Sequence, residues 1–590
     1  MKSLSYLNKY FFKYKWLLLL GIVFLLGANY LYIKMPQIVR EAVDQFEKDF
    51  DTENWLLIAA KLGGFYILLS LGKGIFQFFQ RQTIIKVSRY MEYDLKNEIY
   101  EKYQSLSYNF YKRNSTGDLM NRISEDVSKV RLYLGPGVMY TINLVILFSF
   151  IIHAMLSESV ELTLYTLAPL PIMSFLVYKV SSRMNRQSER VQREQSKIST
   201  IVQEVFSGIS VLKAYKGEPK FQRSFNKNAD DYLDKQMDLV KTNALFMPTI
   251  TFLIGLSTIL TIYIGGLLSF EGQNNISSGK IVEFIFYVNM LTWPFASVGW
   301  VTSLIQRAAA SQERINEFLK EPPEVVNPNE KPFDFNGKIV FKNVSYTFPS
   351  SGIHAIKNLS FEVNKGETLA VLGRTGSGKS TIINLVMRQF DPQSGSIEID
   401  DQPITDINIG DFRKQTGIVP QDVFLFSDSI KDNVAFGLSE DREVSDEEII
   451  SILKTAHVWH NISEFENGLD TLLGERGVNL SGGQKQRLSI ARALIRKPEF
   501  LILDDCLSAV DTETEEIILS NLKEYINQKT TLIVSHRVSS IRHADRILVL
   551  DDGEKIEEGT HEELLALGGV YADMYHQQLI ENQDTPEEEK

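Results

Sequence analysis

The chain has 590 residues, 44% of them hydrophobic and 23% charged, with a formal net charge of −12. That length is too great for one hydrophobic core, so at least two domains are expected, and the acidic balance argues against nucleic acid as a main partner. Cys506 is the only cysteine, which excludes an intrachain disulfide and a cysteine metal cluster.

The averages conceal an uneven chain. The lysine-rich start (Lys2, Lys9, Lys13, Lys15) precedes an apolar run from Trp16. That run leads into Tyr30, Tyr32, Lys34 and Pro36 with no small-residue cleavage site, so a retained first membrane helix is expected rather than a signal peptide. Six segments are long and apolar enough to cross a bilayer, which takes about 20 residues each. They lie near 16–38, 56–80, 132–155, 159–180, 245–270 and 281–305. The loop after the first is acidic (Glu41, Asp44, Glu47, Asp49, Asp51, Glu53), and those at 157–159 and 271–278 are short and nearly free of basic residues. The two remaining loops, roughly 81–131 and 181–244, are rich in Lys and Arg, so they and both termini are expected in the cytoplasm.

Those two long loops carry a helical pattern with almost no Pro or Gly. About 25 residues of helix would project roughly 37 Å beyond the membrane. The pattern breaks in mid-loop, at 114–118 and near Phe206-Ser207-Gly208, which suggests arms with docking tips. In the sixth span Phe286, Asn289, Trp293 and Trp300 recur at helical spacing around Pro294, a residue that kinks helices. An aromatic face with one amide suits amphipathic cargo, and equally suits helix packing or lipid contact. Lys61 and Lys73 sit within or near the second span, where a charge must face water, a partner or the interface.

The proline-rich stretch 321–335 reads as a linker between a membrane domain at 1–320 and a cassette at 336–580, followed by an acidic tail at 581–590. Beyond the linker, strand-like runs at 339–341, 368–372, 417–420, 500–503, 531–535 and 546–550 alternate with helices. Gly373-Arg374-Thr375-Gly376-Ser377-Gly378-Lys379-Ser380-Thr381 follows such a strand and opens a helix, the context of a P-loop. Its glycines let backbone N–H groups curl around phosphate oxygens. The helix N-terminus adds positive charge, Lys379 reaches the β- and γ-phosphates, and Ser380 ligates Mg²⁺. Phe500-Leu501-Ile502-Leu503-Asp504-Asp505 is an apolar strand ending in two carboxylates. Asp504 is placed to hold Mg²⁺, and Asp505 to orient the attacking water.

At these residues the chain resembles the ATP-binding cassette (ABC) proteins. Leu480-Ser481-Gly482-Gly483-Gln484 resembles their signature, Gln421 the glutamine loop, Ser508-Ala509-Val510-Asp511 the D-loop, and His536 the switch histidine. Phe348 stands where an aromatic ring, usually Tyr, stacks on adenine, and Gly474-Glu475-Arg476-Gly477 resembles a loop ahead of the signature in exporters. In the membrane half, 110–119 and 208–215 resemble the two coupling-helix regions of ABC exporters. The resemblance implies a six-helix all-α membrane domain of the type 1 exporter kind fused to an α/β P-loop NTPase domain. It implies ATP and Mg²⁺ as cofactors, with Gln421 joining Ser380 and Asp504 at the metal. It also implies dimers in which each ATP lies between the P-loop of one cassette and the Ser481–Gln484 signature and D-loop Asp511 of the other.

One residue departs from the family. The second acid is usually Glu, and here it is Asp505. One methylene fewer sets the carboxylate back by about 1 Å, a misplacement that can cost on the order of 100-fold in rate. The resemblance then points to the weak-site subunit of a heterodimeric multidrug-type exporter, although the retained His536 also fits a homodimer with two slow sites. The readings of function are export of hydrophobic or amphipathic small molecules, a lipid flippase or peptide exporter, and a regulatory ABC ATPase without transport. Fusion of the two domains resembles exporters, and the expected location is a bacterial inner (cell) membrane with the cassette in the cytoplasm.

Overall fold

The structure, a computed structural model, describes residues 2–49, 55–270, 276–327, 329–349, 351–438, 442–474, 477–508, 510–526 and 529–583. Asp51, Glu53, most of the 271–278 loop, Pro328, Glu475, Arg476, Ala509 and the tail from Asp584 lie outside them. The chain divides into two compact units. One comprises 1–104 and 116–321, the other 105–115 and 322–590.

The first unit is helical. Its long elements are α1 (Lys15–Asp49) and α2 (Trp55–Ser105), then α4 (Val138–Glu158), α5 (Pro169–Ser207), α6 (Glu218–Ala244), α7 (Phe246–Phe270) and α8 (Ser278–Leu319). The short α3 (Tyr108–Arg113) between α2 and α4 belongs to the other unit. Six candidate spans, long and apolar enough to cross a membrane, are found among the described residues. Apolar side chains such as Ile67, Leu71, Val145 and Ile259 are exposed on them, as lipid-facing residues are.

Polar contacts set the ends of this unit apart. At one end Lys9 and Lys13 pair with Glu98 (2.5 Å) and Asp94 (2.6 Å) of α2, which ties the lysine-rich start to the first charged loop. At another, Arg40 of α1 bridges Glu158 (2.6 Å) and Glu283 (3.0 Å), and Lys280 also holds Glu158 (3.2 Å). Three inter-span segments with acidic or neutral loops therefore meet at one place. Lys73 lies 3.4 Å from the ring centroid of Tyr32, so this charge has an aromatic partner. Lys61, Phe286, Asn289, Trp293 and Trp300 are exposed in the single chain, and the Trp300 ring meets Tyr140 edge-on. Pro294 lies inside the continuous α8.

Both arms break at the places the sequence pattern marks, near 114 and 208, and the first breaks once more ahead of them, which the pattern did not show. Helix stops at Leu106-Ser107 and again at Asn114-Ser115, leaving α3 isolated between them. The α5 helix ends at Ser207, and a six-residue turn of helix, Ile209–Ala214, precedes α6. Two π-helical turns, Arg122–Asp126 and Tyr133–Gly137, had no counterpart in the sequence reading. At the second, a Cβ on Gly135 would come 2.6 Å from Ser88 Oγ, so helix contact there requires glycine.

The second unit holds two sheets. An antiparallel sheet runs β2 (His354–Val363), β1 (Ile339–Thr347), β4 (Ser394–Ile399), with Gln402–Pro403 at its edge. A six-stranded sheet is ordered β9-β8-β3-β7-β6-β5, from β3 (Thr368–Gly373), β5 (Thr416–Val419), β6 (Phe500–Asp504), β7 (Thr530–Ser535), β8 (Arg546–Asp551) and β9 (Glu554–Gly559). All its pairings are parallel except β8–β9. Strands β3, β6 and β7 are buried along their whole length, the mark of a sheet covered on both faces. The covering helices include α9 (Lys379–Val386), α10 (Gly482–Leu494), α11 (Thr512–Ile526) and α12 (Val570–Gln583). The proline-rich segment is fastened to this unit. Phe333 and Phe335 are buried in its core, and their N–H groups donate to Asp411 (3.3 Å) and Gln415 (3.0 Å).

Candidate nucleotide site

Parallel register gathers the chemistry at one sheet edge. Leu372 of β3 pairs with Ser535 of β7, Val534 of β7 with Asp504 of β6, and Leu503 of β6 with Val419 of β5. The P-loop, His536, the two acids and Gln421 each follow the C-terminal end of one of these strands. Open parallel sheets bind ligands at that edge.

The P-loop is shaped by glycine. Gly376 and Gly378 have φ of +88° and +99°, and a Cβ on Gly378 would lie 2.3 Å from the Ala355 carbonyl oxygen. Gly373 is equally tight, 2.4 Å from the Leu550 carbonyl oxygen. Lys379 Nζ donates to the carbonyls of Gly373 (2.7 Å) and Arg374 (2.9 Å), so the ammonium already lies inside the loop. Burial pushes its pKa down, while Asp505 and Asp504 act in the opposite sense. Arg374, Thr375 and Gly376 are exposed, whereas Ser377 and Thr381 are buried behind them.

The Ser380 hydroxyl hydrogen-bonds the Asp504 carboxylate, whose pKa burial and then the neighbouring Asp505 charge push up to about 6. A hydroxyl beside a buried carboxylate is a hard-oxygen pair suited to Mg²⁺, and the cation's charge would offset the repulsion between the two acids. No cluster of three or more His, Cys, Asp or Glu able to hold a metal occurs among the described residues, so the further ligands of a cation here would be water or nucleotide oxygens. Gln421 is exposed just past β5.

Asp505 takes a left-handed backbone (φ 46°), which Asp tolerates better than most residues. Its N–H donates to the Val534 carbonyl (2.8 Å), and its Oδ1 lies 2.8 Å from His536 Nδ1. The carboxylate is nearly buried, and the imidazole is about half exposed. The shorter acid therefore still reaches the histidine.

The signature opens α10. The Ser481 hydroxyl accepts from Gln484 N–H (3.3 Å) and the Gln484 side chain accepts from Ser481 N–H (2.9 Å), a closed capping box. Ser481 and Gly482 are exposed, with Gly483 beside them at the positive end of a 13-residue helix. Among the described residues, no hydrogen bond or ion pair joins the signature to the P-loop. Asp511 is exposed and caps α11 through the Thr514 N–H (2.8 Å), which lowers its pKa.

Phe348 follows β1, half-buried, with its ring edge-on to Tyr346 (5.3 Å) and Phe390 (5.9 Å). Lys112 of α3 lies 4.8 Å from the Phe348 centroid, 5.1 Å from Tyr108 and 5.4 Å from Phe390. Its pKa is lowered by burial in this three-ring cage. Next to it Glu324 accepts from Asn109 (2.7 Å) and Arg113 (2.7 Å), and Val325 N–H donates to Ser107 (3.0 Å). Sequence reasoning placed α3 in a docking region but singled out none of these contacts.

Comparison with known proteins agrees with this arrangement. Residues 18–295 match the ABC transporter transmembrane region and 356–508 the ABC transporter family model. A probable multidrug resistance ABC transporter ATP-binding/permease protein, YheI of Bacillus subtilis, is 36% identical over 97% of this chain and 97% of its own length. The chain belongs to the ABC transporter family. An ATP-dependent lipid A-core flippase of Pseudoalteromonas translucida is 32% identical over 87% of this chain and 88% of the flippase. A bacterial Atm1-family ABC exporter solved with ATP bound superposes with a TM-score of 0.78 at 26% identity, covering 95% of this chain and 98% of that one. This ABC transporter is a multi-pass integral membrane protein that couples ATP hydrolysis to export. ABC exporters act as dimers, either of two copies or with a second half-transporter.

Proposed function

We propose that this exporter moves hydrophobic or amphipathic small molecules out of a bacterial cell across the inner membrane, with cassette and termini in the cytoplasm, as the weak-site partner of a second half-transporter. Asp505, standing where the family carries Glu, is the observation that carries the heterodimer reading. Two ATP molecules bring the cassettes together. Phe348 stacks on adenine, the P-loop from Gly373 to Thr381 cradles the phosphates, and Ser380, Asp504 and Gln421 hold Mg²⁺. Ser481, Gly482, Gly483, Gln484 and Asp511 complete the nucleotide site on the partner's P-loop. ATP discriminates between states because it bridges both cassettes, and that difference drives the membrane helices from inward- to outward-facing. His536 and Asp505 work on the γ-phosphate and the attacking water of the chain's own site, slowly. Hydrolysis at the partner's site, completed by this chain's signature, resets the cycle. Mg²⁺, when bound, neutralises charge on the transferred phosphoryl group.

The multidrug cargo is supported by the similarity to the YheI protein and by the exposed aromatic residues of α8. Transport of a lipid is the second reading, favoured by the similarity to the lipid A-core flippase. Substrate-stimulated ATPase in liposomes separates the two. The weak-site reading is tested by purifying the chain alone and comparing its turnover with that of Asp505→Glu, expected to be faster by roughly 10- to 100-fold. Fast turnover by the unmodified chain would sink the weak-site idea, and full transport without a second chain would sink the heterodimer.

A further inference from the structure

The loop carrying His536 is gripped from outside the sheet. Gln578 of α12 donates from Nε2 to the His536 carbonyl (2.7 Å) and accepts at Oε1 from the Val538 N–H (2.7 Å). One planar amide thus spans the residue pair that brackets Arg537, and it satisfies a donor and an acceptor that the end of β7 leaves free. Other contacts hold the far side of the loop, among them those of Arg537 and Ser540 with Glu515. Arg537 N–H donates to Ser535 Oγ (2.9 Å), the Arg537 guanidinium donates to the Ser508 carbonyl (3.3 Å), and Val538 and Ile541 are buried. His536 itself is pinned at the ring by Asp505 and at the backbone by Gln578.

The way α12 packs singles out this contact. Its first turns are held by buried Tyr571, Ala572 and Met574. Beyond them Leu579 and Ile580 are exposed, and a cavity of about 410 Å³ lined by Val538, Arg542, Tyr575, Gln578 and Leu579 lies against the helix. A helix segment packed over a cavity has few apolar contacts to fix it. Tyr575 packs partly against the core that holds Val538, and among the described residues the two bonds of Gln578 are the hydrogen bonds that join this part of α12 to the histidine loop.

We infer that Gln578 is a positioning residue for His536: it sets the height of the switch histidine above the nucleotide, and through it α12 controls hydrolysis without touching ATP. The inference rests on the reading of His536 as the group that meets the γ-phosphate. A half-exposed loop with both bracket bonds removed loses its defined geometry, and a displacement of about 1 Å at a reacting group costs up to about 100-fold in rate. Binding of ATP, carried by the P-loop and Phe348, is untouched.

The test uses the full-length chain in lipid nanodiscs and single-turnover ATP hydrolysis, which reads slow and fast sites alike, beside the Kd for ATP. Gln578→Met, similar in volume and unable to make either bond, is expected to lower the single-turnover rate about tenfold with Kd unchanged. In a His536→Ala background the same substitution is expected to change nothing further, because residues acting as one unit are not additive. A structural role would instead lower the rate by the same factor in both backgrounds, and that result overturns the inference, as does an unchanged rate in the single variant. Should Gln578→Met not fold, Gln578→Glu keeps the acceptor for Val538 and loses the donor to His536. An intermediate rate supports the inference, and a wild-type rate overturns it. If His536→Ala alone leaves the rate unchanged, the switch-histidine reading fails and this inference with it. A fall for His536→Ala with none for Gln578→Met removes the positioning role alone.

Discussion

The two loop tips are similar in kind, each a short helix between long charged arms, yet they end up in different surroundings. The first, 105–115, folds into the compact unit of the cassette. There Phe110 is 3% exposed, Glu324 takes hydrogen bonds from Asn109 and Arg113, and Lys112 sits among three rings. The second, 206–217, belongs to the membrane unit and shows Phe206, Val211 and Tyr215 at 71%, 61% and 83% exposure. Only Leu212 of its helix is buried. Solitary exposed apolar residues need no explanation, but four on one tip of an otherwise charged arm, Ile209 being the fourth, have the composition of a surface that a partner covers. One tip is thus anchored by its own chain through Phe110 and the Glu324 bonds, although Tyr108 and Tyr111 stay exposed on it. The other has the composition of an interface, which in a dimeric exporter the second subunit is expected to supply.

The sharpest way to break this contrast is to delete one phenyl ring from each tip. Phe110→Ala removes a buried ring and is expected to cost about 3–5 kcal/mol. The isolated chain should unfold at lower temperature, and α3 should become sensitive to protease. Phe206→Ala touches an exposed ring and is expected to stay within about 0.5 kcal/mol in the isolated chain. Its effect belongs to the assembled transporter, where substrate-stimulated ATPase should fall severalfold with no change in ATP affinity. Equal destabilisation by the two variants would erase the distinction between the tips.

A smaller effect is expected at Phe348, whose ring meets Lys112 of the first tip and is the one proposed to stack on adenine. An aromatic stack is worth about 0.5–1.5 kcal/mol beyond burial, so Phe348→Ala should weaken ATP binding roughly 3- to 10-fold. Phe348→Tyr should leave it unchanged. Titration with a fluorescent ATP analogue measures both. If Phe348→Ala binds ATP as well as the parent, the ring serves only to cage Lys112.

The sequence revealed strongly what backbone chemistry demands. The P-loop was legible because phosphate binding requires glycines at fixed places, and Gly376 and Gly378 do take positive φ. The buried parallel strands were legible as unbroken apolar runs such as Phe500–Asp504. Strand β9, Glu-Lys-Ile-Glu-Glu-Gly, was not, because an exposed antiparallel edge carries charges that read as a loop. The two arm breaks were legible from Gly208 and from Asn114–Gly117, which interrupt long helical patterns. The π-helical turns at 122–126 and 133–137 were hidden, since one extra residue per turn leaves no mark on periodicity over so short a stretch. Gln578 was invisible for a different reason. A glutamine on the half-exposed end of a helix carries no pattern, and its role arises only from the backbone it meets 40 and 42 residues away.

The smallest expected effect concerns the clamp at the first tip. Arg113 and Glu324 are 43% and 41% exposed at the side chain, and their 2.7 Å contact is open to solvent. Exposed pairs are worth about 0.2–1 kcal/mol and are screened by salt. Arg113→Glu should therefore lower coupled ATPase no more than about fivefold, and less so in high salt. Glu324→Ala should do somewhat more, because Asn109 loses its acceptor at the same time. The double reversal Arg113→Glu with Glu324→Arg restores the charge pair but turns the Asn109 amide toward a guanidinium. It should recover most of the loss from Arg113→Glu and not all of it. Full recovery would mean that charge alone fastens the first tip to the linker. No recovery would mean that the amide and the Ser107–Val325 bond carry the clamp, and that the first tip is held by neutral hydrogen bonds that salt does not weaken.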